Sequence, residues 1–144
     1  MNKPTPIDVE ISLDPKRYIV SETDEKGKIT FCNDYFIEVS GYSKEELIGK
    51  AHSIVRHPDM PCEVFADLWQ TLLSDKTWVG EIKNLKKDGG YYWVLAHVSP
   101  LYNNNGKMIG YQSIRQDITD KKVVEENTKQ LEIEKKKIRE KQRK

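Results

Sequence analysis

Apolar and polar residues alternate along the first patterned part of the chain. The stretch RYIVSETD, which starts at Arg17, has the period of two typical of a half-buried strand. EKG at 25–27 provides a turn, and KITFCN at 28–33 follows as the partner strand of a hairpin. Residues 1–16 contain three prolines and little periodicity. We therefore expect an extended lead-in followed by a β-hairpin.

Helical spacing then replaces the alternation. Asn33 suits the N-cap of a helix over DYFIEVSGY. Ser43 and Glu46 have the spacing of a capping box at the start of a second short helix. CEVFADLWQTLLSD repeats its apolar residues at helical spacing, with Pro61 at the first helical position. The middle of the chain is thus predicted to form short helices.

The period returns to two in the last third of the domain. WVGEIKNLKKDG and GYYWVLAHVSPLY are joined by Asp88-Gly89-Gly90, a strong hairpin signal. NNNG at 103–106 makes another turn, and KMIGYQSIRQDI is the last strand. Two strands, several short helices and three strands predict an α+β fold. Its core would be a five-stranded antiparallel sheet with short helices on one face.

The composition changes beyond Thr119. Residues 120–144 contain no glycine, proline or aromatic residue and consist mostly of helix formers. Val124, Leu131 and Ile138 lie seven residues apart, as in one half of a weak coiled-coil seam. The sequence therefore predicts one domain over 17–119 followed by a charged exit helix.

Charge and motifs exclude several classes of function. The 144 residues carry a formal net charge of +1, which gives no electrostatic case for nucleic acid or an anionic membrane. We find no apolar run of membrane-spanning length and no signal-peptide core, so we expect a cytoplasmic protein. The chain has no phosphate-binding glycine loop, nucleophile elbow or HExxH motif. A binding or regulatory domain is expected rather than an enzyme.

Several ordered motifs resemble those of PAS domains. They are GKITFCNDYF, SGYSKEELIGK and HVSPLYNNNGKMIGYQSIRQDIT, and the similarity spans roughly residues 15–120. A second set of motifs is similar to those of the aerotaxis-receptor branch of PAS domains. The set consists of VRHPDMP, FADLW, Trp78, Gly80, Asn84 and the YWV at 92–94. The resemblance implies a PAS fold, bound FAD, and signalling of redox or energy state to chemotaxis proteins. The exit Asp117-Ile118-Thr119 is also typical of PAS domains linked to kinases, cyclases or soluble chemoreceptors, so the output stays open.

The segment IVRHPDMP, residues 54–61, holds three candidate cofactor contacts that the resemblance supports. Arg56 has the planar fork of donors that pairs with a phosphate. His57 and Asp59 could bond each other or the ribose and adenine parts of FAD. The alternative is a local network in which Asp59 caps the helix that begins near Pro61 and His57 braces the loop.

Three further candidates lie on the predicted third helix and third strand. Trp69 offers a flat surface for a flavin ring, although its helical spacing also suits the core. Trp78 is present in the motif, but its place at a strand start suits core or rim better. Asn84 shares a face with Ile82, opposite Lys83, so it should point inward. A buried amide matches the polar edge of a flavin pyrimidine ring.

The sequence also leaves alternatives to FAD. Haem is the stronger alternative cofactor, with His52 or His57 as axial ligand. Zinc would need His52, His57, Asp59 and Cys62, whose spacing matches no common site, so we predict no metal centre. A cofactor-free module that dimerises through the aromatic face around residues 91–93 is the third alternative. A homodimer and a downstream signalling domain are expected in each case.

Overall fold

The predicted sheet and short helices are both present. A computed structural model describes residues 3–119 and 121–142. The strands are β1 (Ile19–Asp24), β2 (Ile29–Cys32), β3 (Trp78–Leu85), β4 (Tyr91–Tyr102) and β5 (Met108–Asp117). The helices are α1 (Asp34–Ser40), α2 (Lys44–Leu47), a 3₁₀ helix (His52–Val55), α3 (Cys62–Leu73) and α4 (Lys121–Gln142). The α+β prediction with a five-stranded antiparallel sheet is confirmed.

The sheet runs in the order β2-β1-β5-β4-β3, and every neighbouring pair of strands is antiparallel. The helices between β2 and β3 therefore connect its two edges and cover one face. On that inner face Val94, Ala96 and Val98 of β4 are buried because they alternate with outward residues. Phe36 of α1 and Leu72 of α3 close over them and are completely buried.

Two helix starts follow the predicted capping chemistry. The Asn33 side chain accepts a hydrogen bond from the Phe36 backbone N–H at 3.1 Å. Ser43 and Glu46 make both halves of a capping box, each at 3.1 Å. These bonds satisfy backbone donors that have no partner inside the helix, and so they fix where α1 and α2 begin. The predicted start of α3 is one residue early, since Pro61 is its N-cap and Cys62 its first helical residue.

The exit helix lies against the outer face of the sheet. Gln116 of β5 donates through Nε2 to Thr128 Oγ1 on α4 at 3.2 Å, and Leu131 is buried. Asn127 donates to the Pro15 carbonyl at 3.3 Å, which ties α4 to the lead-in. Leu131 is the middle position of the predicted seam. The side chains of its other two members, at positions 124 and 138, lie outside the described residues.

The lead-in is itself held against the sheet. Backbone bonds of 2.9 Å join Ile7 N to the Gly89 carbonyl and Ile11 N to the Tyr91 carbonyl. Tyr91 N in turn donates to the Val9 carbonyl at 2.9 Å.

Across residues 3–119 and 121–142, no helix has the length and apolar character needed to cross a bilayer.

Candidate functional site

A cavity of about 190 Å³ lies between the inner face of the sheet and the helices. Its walls come from β3, β4 and β5, from the 3₁₀ helix and from α3. The charged side chains in these walls belong to Lys26, Arg56 and Arg115, with His52 beside them. Among the described residues no carboxylate contributes to the lining. The cavity is therefore positive in character.

The apolar wall of the cavity is aromatic. Trp69 of α3 and Tyr111 of β5 meet edge to face, with ring centroids 5.5 Å apart and planes at 86°. Phe65 and Leu68 extend this wall along α3, and Val98 faces it from β4. Each aromatic ring offers a polarizable face or edge that suits contact with another ring system. The structure thus brings the predicted Trp69 to the cavity.

Asn84 points inward, as the alternation along β3 predicts. Asn84 is 4% exposed and Ile82 8%, whereas Lys83 between them is half-buried. The Asn84 Nδ2 atom is buried and makes no hydrogen bond. Tyr92 stands opposite it in the ladder, and burial raises the pKa of Tyr92 to about 12. The charge of Arg115 and then the nearby Asn84 amide moderate that rise, although neither Asn84 Nδ2 nor the Tyr92 hydroxyl meets a partner at hydrogen-bonding geometry in the described residues. A buried amide donor without a partner is rare and needs a physical explanation.

Arg56 reaches the same part of the cavity by backbone pairing. It forms an isolated antiparallel bridge with Asn84, so the segment after the 3₁₀ helix is fixed against β3. Its guanidinium carbon lies 3.6 Å from the centroid of the Phe65 ring. Its Nε atom is buried and has no hydrogen-bond partner. Burial lowers the pKa of this side chain, because the charged form loses solvation.

A polar cluster that the sequence analysis did not predict lies beside them. Arg115 of β5 donates to His52 Nε2 at 3.1 Å and to Ser21 Oγ at 2.7 Å. Ser21 Oγ and His52 Nε2 are themselves 2.8 Å apart. Burial, followed by the charge of Arg115, lowers the pKa of His52 to about 3. His52 is therefore neutral at physiological pH.

His57 and Asp59 lie outside the cavity lining. His57 is 3% exposed, its Nδ1 accepts the Asp59 backbone N–H at 3.0 Å, and its ring meets Tyr91 edge-on. The Asp59 carboxylate is exposed and pairs with Lys83 Nζ at 2.9 Å. The alternative in which Asp59 caps α3 is wrong, because the N-cap Pro61 has no side-chain cap bond. The alternative in which His57 braces the loop matches its position.

Trp78 also lies outside the lining and belongs to the core. Its indole N–H donates to Asp67 Oδ2 at 2.9 Å, and the ring lies over Gly80. A Cβ added at Gly80 would approach the Trp78 ring to 2.4 Å, so a larger residue at Gly80 would displace the ring. The predicted cofactor contact of Trp78 is therefore not supported by its position, and packing explains this residue.

The histidines fit haem poorly. His52 Nε2 accepts from Arg115, because a guanidinium has only donors, and from Ser21. His57 Nδ1 accepts a backbone N–H, so the proton of the neutral ring lies on Nε2, and His57 is outside the cavity lining. Within the described parts of the chain, no group of three or more His, Cys, Asp or Glu side chains could hold a metal ion. The donor set at the cavity instead suits an organic ligand that supplies hydrogen-bond acceptors.

Residues that the sequence analysis missed lie on one face of β5. Tyr111, Ser113 and Arg115 all line the cavity because they are two residues apart. The period-two signal is present in KMIGYQSIRQDI, and an arginine in the middle of a predicted strand, directly after Ile114, is itself unusual. Which face of β5 turned inward could be decided only from its pairing with β1 and β4.

Comparison with known proteins identifies the family. A family model described as "PAS fold" matches residues 29–115, which is more than half of the chain. The chain belongs to the PAS family. The solved PAS domain of a Colwellia psychrerythraea protein agrees with this assignment. It has a TM-score of 0.66 at 30% identity and covers 71% of this chain and 86% of that one.

Two curated relatives extend the similarity of this PAS domain. The aerotaxis receptor of Escherichia coli K12 is 47% identical over 105 residues, 73% of this chain and 21% of the receptor. The nitrogen fixation regulatory protein of Klebsiella pneumoniae is 32% identical over 100 residues, 69% of this chain and 20% of that protein. The chain thus spans about a fifth of the length of each of these relatives.

Proposed function

We propose that this PAS domain binds FAD in the cavity and signals redox or energy state through its C-terminal helix. The observation that carries the proposal is the set of buried N–H groups without partners at Asn84, Arg56 and Arg115, all of which line the cavity. Each lacks an acceptor, and an occupant with carbonyl, ring-nitrogen or phosphate acceptors would supply one. The resemblance to the aerotaxis-receptor branch points to FAD as that occupant.

Different lining residues would contact different parts of FAD. The Asn84 amide would donate to the polar edge of the flavin ring, and Trp69 with Tyr111 would flank the ring. Arg56 and Lys26 would offset the negative charge of the cofactor. The bound FAD would supply reversible electron acceptance, and the protein would exclude water and respond to the changed charge.

An output route runs through β5. Arg115 lines the cavity, while its neighbour Gln116 faces outward and donates to Thr128 of α4. Gln116 Nε2 also lies 3.2 Å from His97 Nε2, and both residues are 1% exposed. A shift of β5 at the cavity would move this buried contact and change how α4 lies on the sheet.

The proposal extends to partners and location. The domain over 17–119 would act as sensor and the segment 120–144 as connector to a downstream domain, in chemotaxis or in another signalling system. The functional unit would be a cytoplasmic homodimer whose arrangement changes with the position of α4. The 47% identity to an aerotaxis receptor supports chemotaxis as the first output to test.

Ultraviolet–visible spectroscopy after incubation with FAD tests this function. Arg56→Ala should lower FAD occupancy while leaving the far-ultraviolet circular dichroism unchanged, because Arg56 lines the cavity without an ion pair in the described residues. Asp59→Asn is the matched control, since it removes a nearby charge outside the lining. A wild-type protein that binds no FAD, or binds haem instead, would contradict the proposal.

A further inference from the structure

Among the described residues, Arg115 is a buried cation without an anionic partner. It is 2% exposed and its guanidinium carbon lies 4.5 Å from the centroid of the Phe36 ring. Its two terminal nitrogens donate to the neutral groups of His52 and Ser21, and its Nε has no partner. No carboxylate forms an ion pair with it in the described part of the chain. Burial of an uncompensated charge is strongly unfavourable, so the desolvation of Arg115 lowers the stability of the ligand-free fold.

The neighbours of Arg115 hold it in place without neutralising it. His52 Nε2 must accept, because every guanidinium N–H is a donor, so the proton of the neutral ring is on Nδ1. The Ser21 hydroxyl accepts from Arg115 and can donate to His52. Burial lowers the pKa of Arg115 to about 10, which leaves the side chain charged at neutral pH. The other charged groups of the lining, on Lys26 and Arg56, are also cationic.

We infer that Arg115, oriented by His52 and Ser21, selects the charge state of the ligand. It favours an occupant that carries delocalised negative charge over the neutral form of the same ring. This inference rests on the proposed FAD binding. Two electrons and one proton convert the neutral oxidised ring to a reduced ring with one negative charge, and the electrons come from the external reductant. Arg115 stabilises that charge and thereby raises the reduction potential of bound FAD.

The test is the midpoint potential of FAD bound to this chain, measured by dithionite titration beside a reference dye. Arg115→Met removes the charge and keeps an unbranched side chain. We expect at least a tenfold loss of preference for reduced over oxidised FAD, a potential about 30 mV lower. Arg17→Met is the matched control, because Arg17 is exposed and pairs with Glu38 at 2.8 Å. Its potential should equal that of the wild type.

A second variant and a second readout separate charge from folding. Arg115→Gln keeps hydrogen-bond donors for His52 and Ser21 without the charge, so it should show the same lowered potential. The FAD-free Arg115→Met protein should unfold at a temperature no lower than the wild type, because a buried charge has been replaced by an apolar group. If Arg115→Met fails to fold, Arg115→Gln carries the same measurement.

The possible results of these experiments distinguish charge selection by Arg115 from FAD binding itself. Wild-type potentials in both neutral variants would overturn the inference and leave FAD binding intact. Failure of both variants to fold without FAD would also overturn it, because the cation would then serve the fold itself. A wild-type chain that binds no FAD would remove the proposed function and this inference together.

Discussion

Replacing Asn84 by leucine should stabilise the ligand-free domain and weaken FAD binding. The Asn84 Nδ2 donor is buried without a partner, a state that costs about 1–3 kcal/mol. Leucine has the same number of side-chain heavy atoms, replaces the amide oxygen and nitrogen by methyl groups, and has the adjoining 190 Å³ cavity to accommodate its slightly greater volume. We expect the free energy of unfolding of the FAD-free protein to rise by about 1 kcal/mol.

The effect on binding has the opposite sign. A cofactor acceptor that faces methyl groups instead of an amide loses about 1–3 kcal/mol. Since about 1.4 kcal/mol corresponds to a factor of ten in Kd, FAD should bind roughly five- to 150-fold more weakly. A substitution that stabilises the ligand-free protein often weakens ligand binding in this way. The reason is that a donor left unpaired in the free protein is the group that the ligand needs.

Urea unfolding of the FAD-free proteins and fluorescence titration with FAD would measure both effects. Asn33→Ala is the matched control: Asn33 Oδ1 accepts from the Val20 and Phe36 N–H groups and its Nδ2 donates to the Tyr18 carbonyl, so both ends of the amide are hydrogen-bonded. That control should lose about 2 kcal/mol of stability, because it removes a helix cap, with FAD affinity retained by the folded fraction. A similar loss of stability for Asn84→Leu would refute the reasoning, because the amide would then be structural.

Two further predictions concern groups beside and outside the cavity. Trp78→Phe should destabilise the domain by about 1 kcal/mol, because it removes the indole hydrogen bond to the exposed Asp67 carboxylate and part of a buried ring, and FAD affinity should be unchanged. Reduced affinity would place Trp78 in the site after all. For His52, the folded pKa of about 3 lies below the ordinary 6.5, so folding favours the neutral ring and stability is lost as pH falls below 6.5. From about pH 6.5 to pH 5, carboxyl groups titrate little. Urea unfolding in this range should show a loss of stability from this residue whose slope rises from about 0.7 to about 1.4 kcal/mol per pH unit, because the unfolded imidazole is half-protonated at about pH 6.5. His52→Gln should reduce that slope, and an unaltered slope would show that His52 is not the titrating group.

Local sequence patterns were sufficient for the five strands, the α-helices and the inward direction of Asn84, although they did not predict the 3₁₀ helix. Capping residues such as Asn33 and Ser43 accept hydrogen bonds from backbone groups three residues away. The helix starts that they fix can therefore be predicted without the rest of the fold. Alternation along β3 is equally local, and Ile82 and Asn84 share a face wherever the strand lies. The helical spacing at Trp69 placed it on an inward face, although it did not distinguish core from cavity.

Which side chains meet at the cavity was decided by the tertiary structure alone. His57 follows Arg56 directly in the sequence, yet only Arg56 lines the cavity, because its bridge to Asn84 turns the backbone and leaves His57 against Tyr91. Arg115 meets Ser21, 94 residues away in the sequence, because β5 pairs with β1 in the middle of the sheet. Such contacts depend on strand order and register, which arise from the packing of the whole chain and leave no signature in any short segment. The sequence by itself determined the elements, the capping and the family pattern, whereas the fold determined the positively charged cavity on which the proposed function depends.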